Sequence, residues 1–391
     1  MTHSAIASKR IAIIGAGPGG LTLALLLQRH GFNPVVYERE VQDTNRDRGG
    51  SLDIHEESGQ LALKEAGLFE KFQELARYEG EDFRLFDKHK NVYMDEEAVE
   101  DDHGTRPEID RGDLCQLLLD SLDKGCIRYG HKLQQAIALD HGMTELHFEN
   151  GVVDTVDLLV GADGAFSRVR PLLSDLQPEY SGLTMVELNV LDVKNNHPDL
   201  LELNSRGKMF ALGDRKGILG QLNGDGRIKV YASFEVEREW LDTCGIDFDQ
   251  PTEAKNKLLE LFSDWDDDLK NYIRYADGAI QPRRIYMLPV GYRWKHNPGV
   301  TLIGDSAHVM SPFAGVGVNL AMLDAYTLAL AIARHQDSGS AIEEYEREMY
   351  RYSSDMAQES YDNLVLCFSD DAAAKMATLM KQLHDQTQHD V

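Results

Sequence analysis

Three clusters of residues have types and spacing that could do chemistry. The first is Gly15-Ala16-Gly17-Pro18-Gly19-Gly20, which sits between an apolar β-branched run, Arg10–Ile14, and a leucine-rich run ending at His30. A Gly-x-Gly-x-x-Gly turn between strand and helix is built for a pyrophosphate. Gly15 permits the tight turn, Gly17 admits the ligand close to the backbone, and Gly20 lets helix and strand pack. The helix N-terminus then presents free N–H groups to the phosphates. Glu38, 18 residues after Gly20, ends the next strand and can accept from ribose hydroxyls; Arg39 follows it and is counted with it. This motif alone does not separate NAD from FAD. The second cluster is Asp163-Gly164, after the buried strand Val156–Val160. The third is Gly304-Asp305, after Val300–Ile303, followed by Pro312-Phe313-Ala314-Gly315-Val316-Gly317-Val318-Asn319. A carboxylate at the end of a parallel strand lies where ligands bind. Glycines at 315 and 317, opening a helix, expose backbone N–H groups to a second ligand edge. Arg111, at the start of another helix, can pair with a pyrophosphate.

These residues must be held by a parallel sheet. Strand, glycine turn, helix and strand within about 30 residues make one βαβ unit. The pattern predicts helices over 61–76, broken near Gly67, and over 111–122, with a hairpin between 78 and 108. Residues 178–284 change character: strand-like runs with turns at Asn223-Gly224-Asp225-Gly226 predict a mostly β insert with one helix near 253–262. Two long helices are expected over 318–335 and 341–367, then a polar, frayed tail after about 376. The fold class is α/β, a Rossmann-like domain with an inserted β-rich domain and C-terminal helices. The expected division is a nucleotide domain from 1–80, 105–177 and 285–320, a substrate domain from 81–104 and 178–284, and C-terminal helices over 321–391.

Composition excludes several classes. Lys+Arg is 40 and Asp+Glu 66, a formal net charge of −26. A surface this negative repels phosphate backbones and anionic lipid, so neither nucleic acid nor membrane is an expected partner. Hydrophobic content of 42% excludes global disorder. The four cysteines, Cys115, Cys126, Cys244 and Cys367, form no CxxC pair, which excludes a redox-active disulfide of that type and fits a reducing compartment. No apolar run is long enough to span a bilayer and the first ten residues do not make a signal peptide, so a cytoplasmic monomer is expected. No histidine spacing suggests a protein-bound metal, and no nucleophile–base constellation is present.

The segment Asp163-Gly164-Ala165-Phe166-Ser167-Arg168-Val169-Arg170 resembles the second fingerprint of class A FAD monooxygenases of the para-hydroxybenzoate hydroxylase type. Gly304-Asp305-Ser306-Ala307-His308 resembles their third. Within that class, Arg46 to His55, Pro107 to Leu114 and Phe262 to Asp266 are similar to the Tet(X)-type tetracycline-inactivating enzymes. The resemblance implies FAD as cofactor, NADPH as reductant and O2 as co-substrate. It implies FAD contacts at Asp53, Arg111 and Asp305, the last through the ribityl hydroxyls, and an NADPH contact at Arg46. It implies that no side chain is catalytic in itself, because a flavin C4a hydroperoxide transfers the oxygen. The substrate implied is a polycyclic, aromatic or enolic small molecule, a tetracycline first, another phenol or polyketide second. A flavin dehydrogenase or reductase without oxygen insertion and a non-catalytic, regulatory flavoprotein are the remaining alternatives. In the β insert, the positions that contact substrate in the resistance enzymes are occupied here by Glu187, Lys208, Lys229 and Tyr231. The family has Gln, Arg, His and Gly there, so substrate recognition departs from the pattern while the cofactor motifs keep it.

Overall fold

The computed structural model describes residues 5–42, 49–98 and 106–389. They form two compact units, the first from 1–76, 111–179 and 286–360, the second from 77–110, 180–285 and 361–391.

The first unit is built on a parallel sheet of β1 (Ile11–Ile14), β2 (Val35–Tyr37), β3 (Ile127–Arg128), β4 (Leu158–Gly161) and β5 (Val300–Leu302), in the order β5-β4-β1-β2-β3. Strands β1, β4 and β5 are buried throughout, as a parallel sheet covered on both faces requires. Helix α1 (Pro18–Arg29) follows β1 and packs on α2 (Gly317–Arg334). The two approach closely at Gly19, where a Cβ would lie 3.0 Å from the Ala321 carbonyl oxygen. The long helix Ser338–Cys367 buttresses β5. Tyr345 donates to the Leu302 carbonyl at 2.8 Å, and the buried Glu346 accepts from Thr301 Oγ1 at 2.9 Å and Trp294 Nε1 at 2.8 Å. Burial pushes the Glu346 carboxyl up, against the pull of these donors.

The second unit is a seven-stranded sheet in the order 277–287, 179–190, 228–235, 216–222, 208–213, 83–87, 92–96. Helices Pro251–Leu261 and Asp267–Arg274 contribute Leu258, Leu269 and Tyr272 to a core shared with one face of the sheet, where Val186, Leu188, Val230, Ala232, Ile218 and Met209 alternate. Residues at the intervening positions occupy the opposite face. Gly220 lies in the core row because a Cβ there would meet Asn204 Oδ1 at 2.4 Å and Tyr272 Cε1 at 2.6 Å.

The structure corrects three expectations. The insert has a second sizeable helix, Asp267–Arg274, capped by the Asp266 carboxylate, which accepts from the Asp268 N–H. Residues 377–389 are not a frayed tail: Ala372–His389 is a helix, with Ala372, Ala373, Met376 and Ala377 on a buried stripe. Nor do residues 321–391 form a separate helical part. The segment to 360 belongs with the first unit, and Ala372–His389 packs on strands 83–87, 92–96 and 208–213 of the second.

Phe262 has no exposed surface and contacts the rings of Phe234 and Trp265. Truncation to alanine removes these ring contacts and leaves a cavity, so Phe262→Ala should destabilise by about 3–5 kcal/mol in urea titration. A loss below about 1 kcal/mol would show that this core is not tightly packed.

Candidate active site

The glycine turn has two kinds of glycine. Gly15 has φ +109°, and a Cβ on it would lie 2.3 Å from the Ala162 carbonyl oxygen. A Cβ on Gly20 would lie 2.1 Å from the Gly15 carbonyl oxygen. Both are therefore demanded by the protein itself. Gly17 is in an extended conformation, and a Cβ there would meet no protein atom within 4 Å. Its glycine is not a packing requirement, which fits a ligand coming close to the backbone. No side chain caps α1, so its first N–H groups are available to an anion. Glu38 ties into the same turn: one carboxylate oxygen accepts from the Ala16 N–H at 2.7 Å, the other from the Glu40 N–H at 2.9 Å. Each oxygen retains acceptor capacity for a ribose hydroxyl. Arg39 is exposed beside it.

The second and third clusters are clasped together by side chains. Ser306 Oγ accepts from the Gly164 N–H at 2.9 Å and donates to Asp163 Oδ1 at 3.1 Å; Asp163 Oδ2 accepts from the Arg168 N–H at 2.6 Å. The Asp163 carboxylate thus shapes its own loop. Arg170, without exposed surface, donates from Nε to the Ser306 carbonyl at 2.9 Å and from Nη2 to the Ala165 and Asp305 carbonyls at 2.8 and 3.2 Å. Gly304 has φ +59° and donates its N–H to Asp324 Oδ2 at 2.6 Å. That buried carboxylate also takes His308 Nε2 at 2.7 Å and the Tyr352 hydroxyl. Asp305 begins a short helix and is exposed, and its carboxylate accepts no hydrogen bond among the described residues. It keeps its acceptor capacity for a ligand.

Pro312–Ala314 is a single 3-10 turn ending at Gly315, φ +68°. Reciprocal bonds between the buried Ser311 and Ser360 hold this loop. Gly317 opens α2 without a side-chain cap, and a Cβ on it would meet nothing within 4 Å. This is a second open helix N-terminus, aligned by the same loop. Asn319 is buried: Nδ2 donates to the Asp53 carbonyl at 2.8 Å, and Oδ1 accepts from the His55 N–H at 2.8 Å and the Ser58 hydroxyl at 3.3 Å. It positions the segment that carries Asp53. Asp53 itself contacts His55 Nε2 at 3.3 Å and lies 3.7 Å from where a Cβ on Gly315 would be. Arg111 is exposed at the head of its helix, and its backbone N–H donates to the Gly50 carbonyl. Arg46 lies outside the described residues.

The four residues assigned to substrate share one face of the second unit's sheet. Glu187 is directly opposite Tyr231, and Lys229 opposite Gln221, which is opposite Lys208. This is the face turned away from helices 251–261 and 267–274. Lys229 Nζ lies 3.3 Å from Glu187 Oε2, and Lys208 Nζ 2.8 Å from Glu108 Oε1.

The structure brings together Gly15, Gly17, Gly20 and Glu38 in one turn, and Asp53, Gly315, Gly317 and Asn319 in another. Arg170, Ser306, His308 and Asp324 were not assigned roles from sequence. The first three lie inside the fingerprints, so their types were visible; Asp324, in the second turn of α2, carried no local signal.

A family model described as FAD binding domain matches residues 9–360. Monooxygenase penA of Penicillium thymicola is 31% identical over an alignment covering 95% of this chain and 98% of that protein. Among solved structures, HpxO of Klebsiella pneumoniae complexed with FAD and uric acid superposes with a TM-score of 0.78 at 21% identity, covering 95% of this chain and 92% of that one. Tetracycline destructase Tet(51) superposes with a TM-score of 0.69 at 20% identity, covering 95% of each. At these identities the structural likeness is one of fold.

Two predictions separate structure from ligand. Gly17→Val should leave thermal stability near wild type while abolishing flavin retention, whereas Gly20→Ala should itself destabilise by about 1–3 kcal/mol through overpacking. Flavin affinity in Gly17→Val within a few-fold of wild type would reduce the motif to a plain turn. The second concerns His308. Burial opposes the imidazolium, but Asp324 and Asp305 outweigh it and raise the His308 pKa above its ordinary 6.5. A group raised on folding stabilises fully below its unfolded pKa and loses that contribution as pH rises through the folded value. Melting temperature should therefore fall from pH 6.5 upward in wild type and fall less in His308→Gln. Parallel profiles would remove the pair from the stability balance.

Proposed function

This chain belongs to the FAD-binding-domain family and is an FAD-dependent monooxygenase, and on that footing we propose that it consumes NADPH and O2 to hydroxylate a polycyclic, aromatic or enolic small molecule. The observation that carries this reading is the pair of uncapped helix N-termini, each led by a glycine, Gly17 and Gly317, whose Cβ would meet no protein atom. Such cradles suit a ligand with an anionic pyrophosphate and a second electron-accepting end.

FAD, when bound, supplies the activated oxygen, with electrons from NADPH. The chain's own residues do the rest. The α1 N-terminus and Arg111 bind the pyrophosphate. Glu38 accepts from the adenosine ribose, and Asp305 from the ribityl chain. The N–H groups at the start of α2 favour negative charge on the reduced ring. Asn319 and the Ser311–Ser360 bonds keep that helix start and the Asp53 segment in place. The polar face carrying Glu187, Lys208, Lys229 and Tyr231 recognises substrate. Arg46 is the proposed NADPH contact. A tetracycline is a polycyclic enol of the required class, and the likeness to tetracycline destructases supports testing it beside simple phenols.

Purified holoprotein supplied with NADPH, ¹⁸O2 and a panel of tetracyclines and phenols should give a product heavier by one labelled oxygen atom. NADPH oxidation that releases only peroxide with every compound would leave a flavin reductase and reject the proposal. Turnover of phenols without any tetracycline would keep the monooxygenase and remove the antibiotic as substrate.

A further inference from the structure

We infer that Asp324 is a positioning residue for the flavin: acting through Gly304 and His308, it holds Asp305 at a fixed separation from the N-terminus of α2. The inference rests on the FAD contacts proposed above for Asp305 and for the start of α2, and it assigns the residue that keeps them in register.

Asp324 is the only charged side chain in α2 before the terminal Arg334, and it has no exposed surface. A buried carboxylate is costly unless its oxygens are satisfied. Three donors satisfy this one. The Gly304 N–H at 2.6 Å and His308 Nε2 at 2.7 Å converge on Oδ2, and the Tyr352 hydroxyl donates to Oδ1. Gly304 immediately precedes the short helix Asp305–His308, and His308 ends it. Both ends of the turn that begins with Asp305 are therefore tied to a single oxygen atom. Tyr352, from the helix Ser338–Cys367, holds the other oxygen and so fixes the plane of the carboxylate.

The same turn rests directly on α2. A Cβ on Gly304 would stand 2.9 Å from Ala321 Cβ, and Ala321 lies one turn before Asp324 on the same face of the helix. Steric contact at Ala321 keeps the turn from moving closer, and the hydrogen bonds at Asp324 keep it from moving away. Gly317, where α2 opens, lies two turns before Asp324, about 10 Å along the helix axis. The helix thus works as a ruler, with Asp305 attached at one mark and the open N–H groups at its end. Arg170 adds a different constraint, because its bonds tie this turn to the loop after β4 and not to α2. An asparagine at 324 would keep the shape but turn one of the two acceptor ends into a donor, which then faces a donor.

The test uses the full-length chain stripped of flavin and two probes. FAD is followed by quenching of its fluorescence. ADP, which carries the pyrophosphate and adenosine ribose without ribityl chain or ring, is followed by calorimetry. Asp324→Asn should weaken FAD about tenfold or more and ADP by less than about twofold, the first being the scale of a lost hydrogen bond to a charged group. In an Asp305→Ala background the same substitution should cost FAD less than about threefold, because the contact it positions is already gone. Tyr352→Phe removes one of the three donors and should show the same pattern with a smaller loss; it decides the matter if Asp324→Asn fails to fold. Equal losses for FAD and ADP, or a full loss retained beside Asp305→Ala, would make Asp324 a purely structural residue and overturn the inference, as would FAD affinity unchanged in Asp324→Asn. Wild-type chain that binds ADP but not FAD would instead count against the functional reading beneath it.

Discussion

A buried guanidinium organises the cofactor half of this molecule. Arg170 has no exposed surface, and its donors go to main-chain carbonyls at Ala165, Asp305 and Ser306 instead of a carboxylate. Burial lowers its pKa, opposed by the fields of Tyr292, Asp163 and Asp305; an arginine still keeps its charge under such pressure, where a lysine would shed its proton. Three carbonyls fixed by one planar group define a shape, so the loop after β4 and the loop after β5 cannot move independently. The remaining contacts follow from that alignment. Ser306 reaches Asp163 and Gly164, the Gly304 N–H meets Asp324, and the Asp305 carboxylate is left facing outward. A charge-for-charge pairing would have balanced the ion without determining the path of the backbone.

The cofactor turn was legible in the sequence because its constraints are local and steric. Gly15 and Gly20 cannot carry a Cβ for reasons within a few residues of chain or in the adjoining strand, and such constraints leave a spacing. The break at Gly67 and the acidic hairpin of 83–96 were legible for similar reasons. What was not legible depends on partners distant in sequence. Glu108 meets Lys208 only after an intervening hundred residues, and alternation along a strand assigns a face without naming a partner. Asn319 reads as a ligand contact at a helix start, and its side chain is also bonded to the Asp53 carbonyl, the His55 N–H and the Ser58 hydroxyl, partners that no local pattern announces. The helices 267–274 and 372–389 were hidden by polar composition. Their apolar stripes are narrow, and tertiary burial decided what propensity left open.

The second unit's sheet performs two incompatible tasks on opposite faces. Val186, Leu188 and Val230 pack into a dry core while Glu187, Asn189 and Lys229 between them carry hydrogen-bonding groups. Because side chains alternate, a slip of one residue would exchange the two faces completely. Gly220 opposes such a slip: Tyr272 and Asn204 fill the space where any other side chain would stand. Recognition on one face therefore inherits its accuracy from packing on the other.

The strand order β5-β4-β1-β2-β3 has a temporal consequence. A ribosome delivers this chain from its N-terminus at about 5–20 residues per second. Strands β1 to β4 emerge by residue 161, but β5, the partner of β4, arrives only at Val300. Until then the edge of β4 is exposed and its loop lacks Asp305 and Ser306, the carbonyls that Arg170 must reach. The residues made in that interval are mostly the antiparallel strands of the second unit, whose neighbouring hairpins can close as they appear. The cofactor site is thus among the last features a growing chain can complete, and the nascent protein must protect an unpaired strand edge for the whole of that wait.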